Sequence, residues 1–151
     1  MINNMKKCYL DSNIIIAAKD KDSRFHPRAK KILLKLIEKN YLLCLSPLVL
    51  DEALFQIQYL LRRRGLFKKE KEILRDFVTS IFLLPNITLV NPPLTQKAQI
   101  KVVKFITQYQ LRPRDAYHLL IIKSHKIDNI ATFDKDFVSV AKVEKIKIIA
   151  N

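Results

Sequence analysis

The chain of 151 residues has little glycine, little cysteine and few acids: one Gly, two Cys, and 14 Asp plus Glu against 28 Lys plus Arg. A single glycine cannot build a glycine-rich phosphate loop, so the dinucleotide-binding fingerprint and the Walker loop are both excluded. The same scarcity argues against a many-turned β-sandwich or barrel, which needs φ > 0 positions throughout. No apolar run reaches the roughly 18 residues that suggest a membrane span. The opening Met1-Ile2-Asn3-Asn4-Met5-Lys6-Lys7 leads into a short apolar stretch broken by Asp11, with no small-residue cleavage site. It does not read as a signal peptide. Cys8 and Cys44 lie inside strand-like apolar runs, where they read as small buried hydrophobes and not as a disulfide or metal pair. A cytoplasmic protein is expected.

With hydrophobic residues at 49%, the chain can bury a proper core and does not resemble a disordered one. Its length fits one domain, and no repeat, linker or low-complexity segment divides residues 1–151. The net charge of +14 points to a polyanionic partner, nucleic acid ahead of an anionic membrane.

Periodicity divides the chain into short apolar runs and longer amphipathic ones. Strands are expected at residues 7–10, 41–45, 87–90, 129–133 and 147–150. Helices are expected at 14–18, from Pro27, from Pro47 behind the cap Ser46 to about 64, at 68–84, from Thr95 to about 109, and from Pro113 to about 125. Gly65 should end the third of these. Strands alternating with helices imply βαβ units, hence an α/β fold with a parallel sheet covered on both faces.

Most acids sit in turns or charged stretches and read as solvated surface. Asp11 does not, because it interrupts the apolar stretch 8–16 at a strand's carboxyl end. Charge seldom enters such a run without a partner, and ligands of open α/β sheets bind outside the carboxyl ends of strands. Two readings stand, a site residue or an N-cap for the following helix. Glu52 shares a helix side with Leu48, Phe55 and Tyr59, whereas Asp51 lies on a polar strip and reads as a surface acid. Asp115 falls in a first helical turn, where the macrodipole favours an acid. Asp134 and Asp136 follow another strand, where turn chemistry alone would explain either.

Together these positions carry more weight. In a parallel sheet, Asp11, Glu52, Asp115 and Asp134 would converge on one edge. Converging carboxylates repel, and a divalent cation relieves that repulsion. All-oxygen ligation suits Mg²⁺ or Mn²⁺, and no His or Cys group has zinc spacing. His26, His118 and His125 read as isolated, with no ligand role. Arg112 and Arg114 flank Asp115 and are expected to contact substrate phosphates.

The ordered set Tyr9-Leu10-Asp11-Ser12-Asn13, Ser46-Pro47 through Glu52, Arg114-Asp115-Ala116-Tyr117-His118 and Ala131-Thr132-Phe133-Asp134-Lys135-Asp136-Phe137 resembles the PIN-domain ribonucleases, especially the VapC-like toxins of prokaryotic toxin–antitoxin pairs. The resemblance spans nearly the whole chain. It implies a three-layer α/β/α fold and an endoribonuclease site built from Asp11, Glu52, Asp115 and Asp134 with Mg²⁺ or Mn²⁺. Asn13, Thr132 and Asp136 match auxiliary positions. An RNA substrate, a cognate antitoxin protein and a homodimer are implied as partners, with no membrane. The competing expectations are a non-catalytic nucleic-acid-binding protein, which would use the same charge, and a PIN-domain RNA-maturation factor.

Overall fold

Five short strands, all parallel, form one sheet in the order β3-β2-β1-β4-β5 in a computed structural model that describes residues 5–150. The residues before Met5, part of the stretch weighed above as a signal, lie outside the described ones. The strands are β1 Lys7–Leu10, β2 Leu42–Leu45, β3 Ile87–Leu89, β4 Asn129–Ala131 and β5 Lys147–Ile149. Between them run α1 Ser12–Lys19, α2 His26–Glu38, α3 Pro47–Arg63, α4 Glu70–Phe82, α5 Gln96–Tyr109, α6 Pro113–Ser124 and α7 Val138–Val143. The result is the three-layer α/β/α arrangement that alternating strands and helices imply.

Local chemistry starts and stops these elements. The Ser46 hydroxyl accepts the Val49 N–H at 3.2 Å ahead of Pro47, and Thr95 accepts the Ala98 N–H at 3.2 Å. Gly65, at φ 70°, ends α3 as expected. Having no other glycine, the chain places Asn40, Asn86, Gln110, Lys126 and Lys145 in the left-handed region, mostly just past helix ends. Each costs of order 1 kcal/mol.

Three departures from expectation have local causes. Residues 67–69 form a separate 3-10 turn before α4, so that helix is shorter than the run 68–84. The six-residue α7 is too short for apolar periodicity to reveal it. Strand β4 ends at Ala131, not Phe133, because the Phe133 N–H leaves the ladder to donate to Asn13 Oδ1 at 3.1 Å.

The core sits on both sides of β1, with Tyr9, Leu10, Leu43 and Leu45 from the sheet packed against α2 and against the heavily buried α6. Cys8 and Cys44 are buried free thiols, as their setting suggested, and burial pushes them up to about 12 and about 11. Among the described residues no helix is long and apolar enough to cross a membrane.

The strand order positions the cleft. The chain steps outward from β1 through β2 to β3, then returns to place β4 on the other side of β1. The crossovers from β1 and β4 therefore diverge, and the carboxyl ends of these two strands border the crevice where ligands of such sheets bind.

Candidate active site

Asp11 follows β1 directly, and its carboxylate fills the N-cap role weighed from the sequence while lining the cleft described below. Oδ1 caps α1 by accepting the Ser12 N–H at 2.7 Å. Oδ2 accepts from Asn13 Nδ2 at 2.9 Å and from the Thr132 hydroxyl at 2.5 Å. Thr132 Oγ1 in turn accepts the Asp134 N–H at 2.9 Å. These bonds join the end of β1 to the end of β4 across the switch point. Burial raises the Asp11 carboxyl above its usual range, and the Thr132 hydroxyl and the charge of His118 oppose that rise.

Opposite stands Glu52, in the second turn of α3, its side chain 15% exposed. The neighbours expected to bury it do not, since Phe55 and Tyr59 are 67% and 53% exposed. His118 covers it instead, with Nε2 at 3.2 and 3.3 Å from the two carboxylate oxygens, and Arg114 Nε lies 3.5 Å away. Burial alone would raise Glu52, yet the His118 hydrogen bond and charge outweigh it and hold the carboxyl below its usual range.

His118 is thus not isolated, which corrects the sequence reading. It is buried, and its Nδ1 lies 2.8 Å from the Tyr9 hydroxyl, itself 2.6 Å from Ser46 Oγ. Directions follow from the ends of this chain. An ionised Glu52 only accepts, so Nε2 carries a proton. In a neutral imidazole Nδ1 then accepts from Tyr9 and Tyr9 from Ser46; in the charged imidazole that lowers Glu52, Nδ1 donates to Tyr9 and Tyr9 donates to Ser46. Ser46, which caps α3, is linked through two buried side chains to Glu52 on the same helix. One signal was available in the sequence: His118 lies three residues beyond Asp115 and shares its helix face.

Asp115, in the first turn of α6, and Asp134, after β4, complete the acidic wall of a cleft of about 610 Å³ that also takes in Asp11, Glu52, Arg112 and Arg114. Burial raises Asp115, and the charges of Asp134 and Glu52 add to the rise against His118 and Arg112. Asp136 is exposed and does not line the cleft; its N–H donates to Asp134 Oδ1 at 2.8 Å. Arg112 occupies the N-cap position of α6 without a side-chain capping bond, exposed at the cleft's edge. Arg114 also reaches the exposed Asp51 at 3.4 Å, so part of its fork is already engaged with carboxylates.

The donors fit a hard divalent cation by chemistry. They are all oxygen, and the charges of Asp134 and Glu52 add to the burial that raises Asp115, a repulsion a cation would relieve. Among the described residues no three His, Cys, Asp or Glu side chains form a ready-made ligand group, so a cation would have to draw the acids together.

Fold and site define a class: a three-layer α/β/α domain with a carboxylate-lined cleft at the switch point of a parallel sheet. A family model described as PIN domain matches residues 8–143. Ribonuclease VapC2 of Methanocaldococcus jannaschii is 33% identical over 152 residues, covering 94% of this chain and 94% of its own. Ribonuclease VapC6 of the same organism is 25% identical over 153 residues, covering 92% and 95%. Among solved structures, VapBC2 from Rickettsia felis bound to a promoter DNA fragment has a TM-score of 0.62 at 18% identity, covering 95% of this chain and 97% of that one. The chain belongs to the PIN-domain family.

Proposed function

We propose that the chain is a metal-dependent endoribonuclease, a single nuclease domain over residues 1–151 that acts as the toxin of a toxin–antitoxin pair. The observation that carries this reading is the convergence of Asp11, Glu52, Asp115 and Asp134 on one cleft in a chain whose relatives over nearly its full length are named ribonucleases. A non-catalytic nucleic-acid binder has no use for such a wall of acids.

Asp11, Asp115 and Asp134 would hold Mg²⁺ or Mn²⁺, with Glu52 as a further ligand or as the group that positions water. The bound cation supplies Lewis-acid stabilisation of phosphoryl charge and lowers the pKa of water. The protein's own groups do the rest. Asn13 and Thr132 hold the Asp11 carboxylate in one orientation through Oδ2. His118 holds Glu52 ionised and facing the cleft. Arg112, and the donors of Arg114 not engaged by Asp51 and Glu52, bind substrate phosphate. Asp136 supports Asp134 through its backbone and is not itself a ligand.

The reading places the protein in the cytoplasm, acting on RNA, with a cognate antitoxin protein and a homodimer as its assemblies. Apolar side chains exposed on α3 and at the end of α4, including Tyr59, Leu60, Phe82 and Leu83 just past it, supply surface for such contacts. The test is cleavage of RNA with Mg²⁺ or Mn²⁺ by wild type, Asp11→Asn and Asp134→Asn, with melting curves to show that each variant folds. Cleavage should fall by more than about 100-fold in both variants, beyond what loss of a supporting residue costs. Equal cleavage by folded variants would refute the assignment. Expression should arrest growth and a neighbouring antitoxin should relieve the arrest, an outcome not expected of an RNA-maturation factor.

A further inference from the structure

A second concavity lies between α2 and the outer strand β5. Lys35 and Lys39, one helical turn apart, face Lys147 of β5 across a groove of about 260 Å³, with Tyr41 and Ala150 also in its walls. All three lysines are exposed, and among the described residues no acid lines the groove. Three cations around one hollow repel each other until an anion neutralises them. Among the described residues the outer side of β5 pairs with no strand, so the groove runs along a sheet edge.

The groove and the cleft share no lining residue, but the surface between them is basic. All strands are parallel, so Ala150 lies at the same end of the sheet as Asp134, and Lys147 lies further down. Arg28 bridges the two regions: its Nε donates to the Ala150 carbonyl at 2.6 Å, and its guanidinium carbon lies 5.2 Å from the Phe133 ring centroid. Phe133 stands between Thr132 and Asp134 and stacks on Phe25 at 5.1 Å. From the acidic wall the surface therefore passes through an aromatic pair and an arginine to three lysines. The outer faces of the aromatic pair are covered by guanidinium groups, Arg24 4.7 Å from the Phe25 centroid and Arg28 5.2 Å from that of Phe133, so this stretch offers a phosphate backbone cations and not a free ring. A duplex offers a broad convex face that a narrow groove between a helix and a sheet edge does not match.

We infer that the α2–β5 groove binds the flanking, single-stranded part of the RNA whose scissile phosphate lies in the cleft, so that the substrate path leaves the active site over Phe133 and Arg28. This rests on the ribonuclease reading above.

The experiment measures binding of fluorescent single-stranded RNAs at the two ends of the usual site-size range, about 4 and about 16 nucleotides. It is run in EDTA over a salt series, with wild type and the triple variant Lys35→Gln, Lys39→Gln, Lys147→Gln. The long RNA should bind wild type more tightly than the short one. The triple variant should lose that advantage, with the slope of log affinity against log salt falling by about 2, or roughly 0.7 per lysine, while the short RNA binds unchanged. Lys39→Gln alone should lower the slope by about 0.7. An unchanged slope for the long RNA, or equal losses for both lengths, would overturn the inference, as would equally tight binding of duplex DNA to the same lysines. If wild type still cuts RNA with Mn²⁺ in those cases, the groove assignment fails alone; if wild type neither binds nor cuts RNA, the ribonuclease reading fails with it.

Discussion

Replacing Tyr9 by Phe removes one oxygen from the middle of the buried chain that runs from Ser46 to Glu52. Tyr9 is 1% exposed, so no solvent can replace the lost bonds. The hydroxyl lies 2.6 Å from Ser46 Oγ and 2.8 Å from His118 Nδ1, and both partners are buried. The variant therefore leaves both the Ser46 hydroxyl and His118 Nδ1 without the hydroxyl they share. A buried orphaned group costs about 1–3 kcal/mol, and the small apolar gain of the Phe ring offsets only part of this. A net loss of about 2–4 kcal/mol follows, which at this chain length lowers Tm by roughly 5–15 °C. Thermal and urea unfolding of the metal-free protein measures it. Ser46→Ala also removes the cap of α3, costing about 1 kcal/mol, so a double-mutant cycle is needed to isolate the Tyr9–Ser46 coupling, expected at about 0.5–3 kcal/mol. Without Tyr9 the imidazole can also carry its proton on Nδ1, turning an acceptor toward Glu52, and cleavage should fall by about 10–100-fold. A Phe variant that melts within about 2 °C of wild type, against the shift expected at this size, would show that the chain does not form.

Other consequences are more direct. Adding Mn²⁺ or Mg²⁺ should raise Tm with a stabilisation of about 2.7 kcal/mol at 100 times the dissociation constant. Asp115→Asn should lose that rise while melting higher than wild type without metal. The sign follows from its raised folded pKa, caused by burial and then by Asp134 against the opposing His118: such a group loses stability as pH climbs through its titration window, and an uncharged Asn escapes the loss. A metal-free Asn variant less stable than wild type at neutral pH would contradict this. On the far side of α6, Glu144 receives the Lys123 ammonium and the Tyr109 hydroxyl, which outweigh its burial and hold it below the usual range. Its contribution is present above the unfolded value and lost as pH falls through the folded one. Glu144→Gln should therefore cost up to about 1 kcal/mol at pH 7 and less near pH 3, about a unit below the unfolded glutamate pKa and on the way down through the lower folded one. Urea midpoints at the two pH values would read the difference, and an equal loss at both would contradict an electrostatic origin.

The sequence alone determined the local structure and the list of candidate acids. Caps such as Ser46 and Thr95, the stop at Gly65 and the alternation of strand and helix depend on neighbours a few residues away, and the chain order carries that information. Asp11 was conspicuous for the same reason, as a charge inside an apolar run. Glu52 was selected for a burial that its helix neighbours do not supply, and His118 was passed over because nothing beside it in sequence needs it. Tertiary structure alone decided the pairings: Asp11 meets Thr132 across 121 positions, Tyr9 meets His118 across 109, and Glu52 meets His118 across 66. It also decided that Asp134, not Asp136, faces the cleft. The physical reason is the strand order. Placing β4 beside β1 puts the ends of these two strands side by side, and no local periodicity encodes which strands become neighbours. The sequence marked which residues were out of place, and the reversal at β1 made them neighbours.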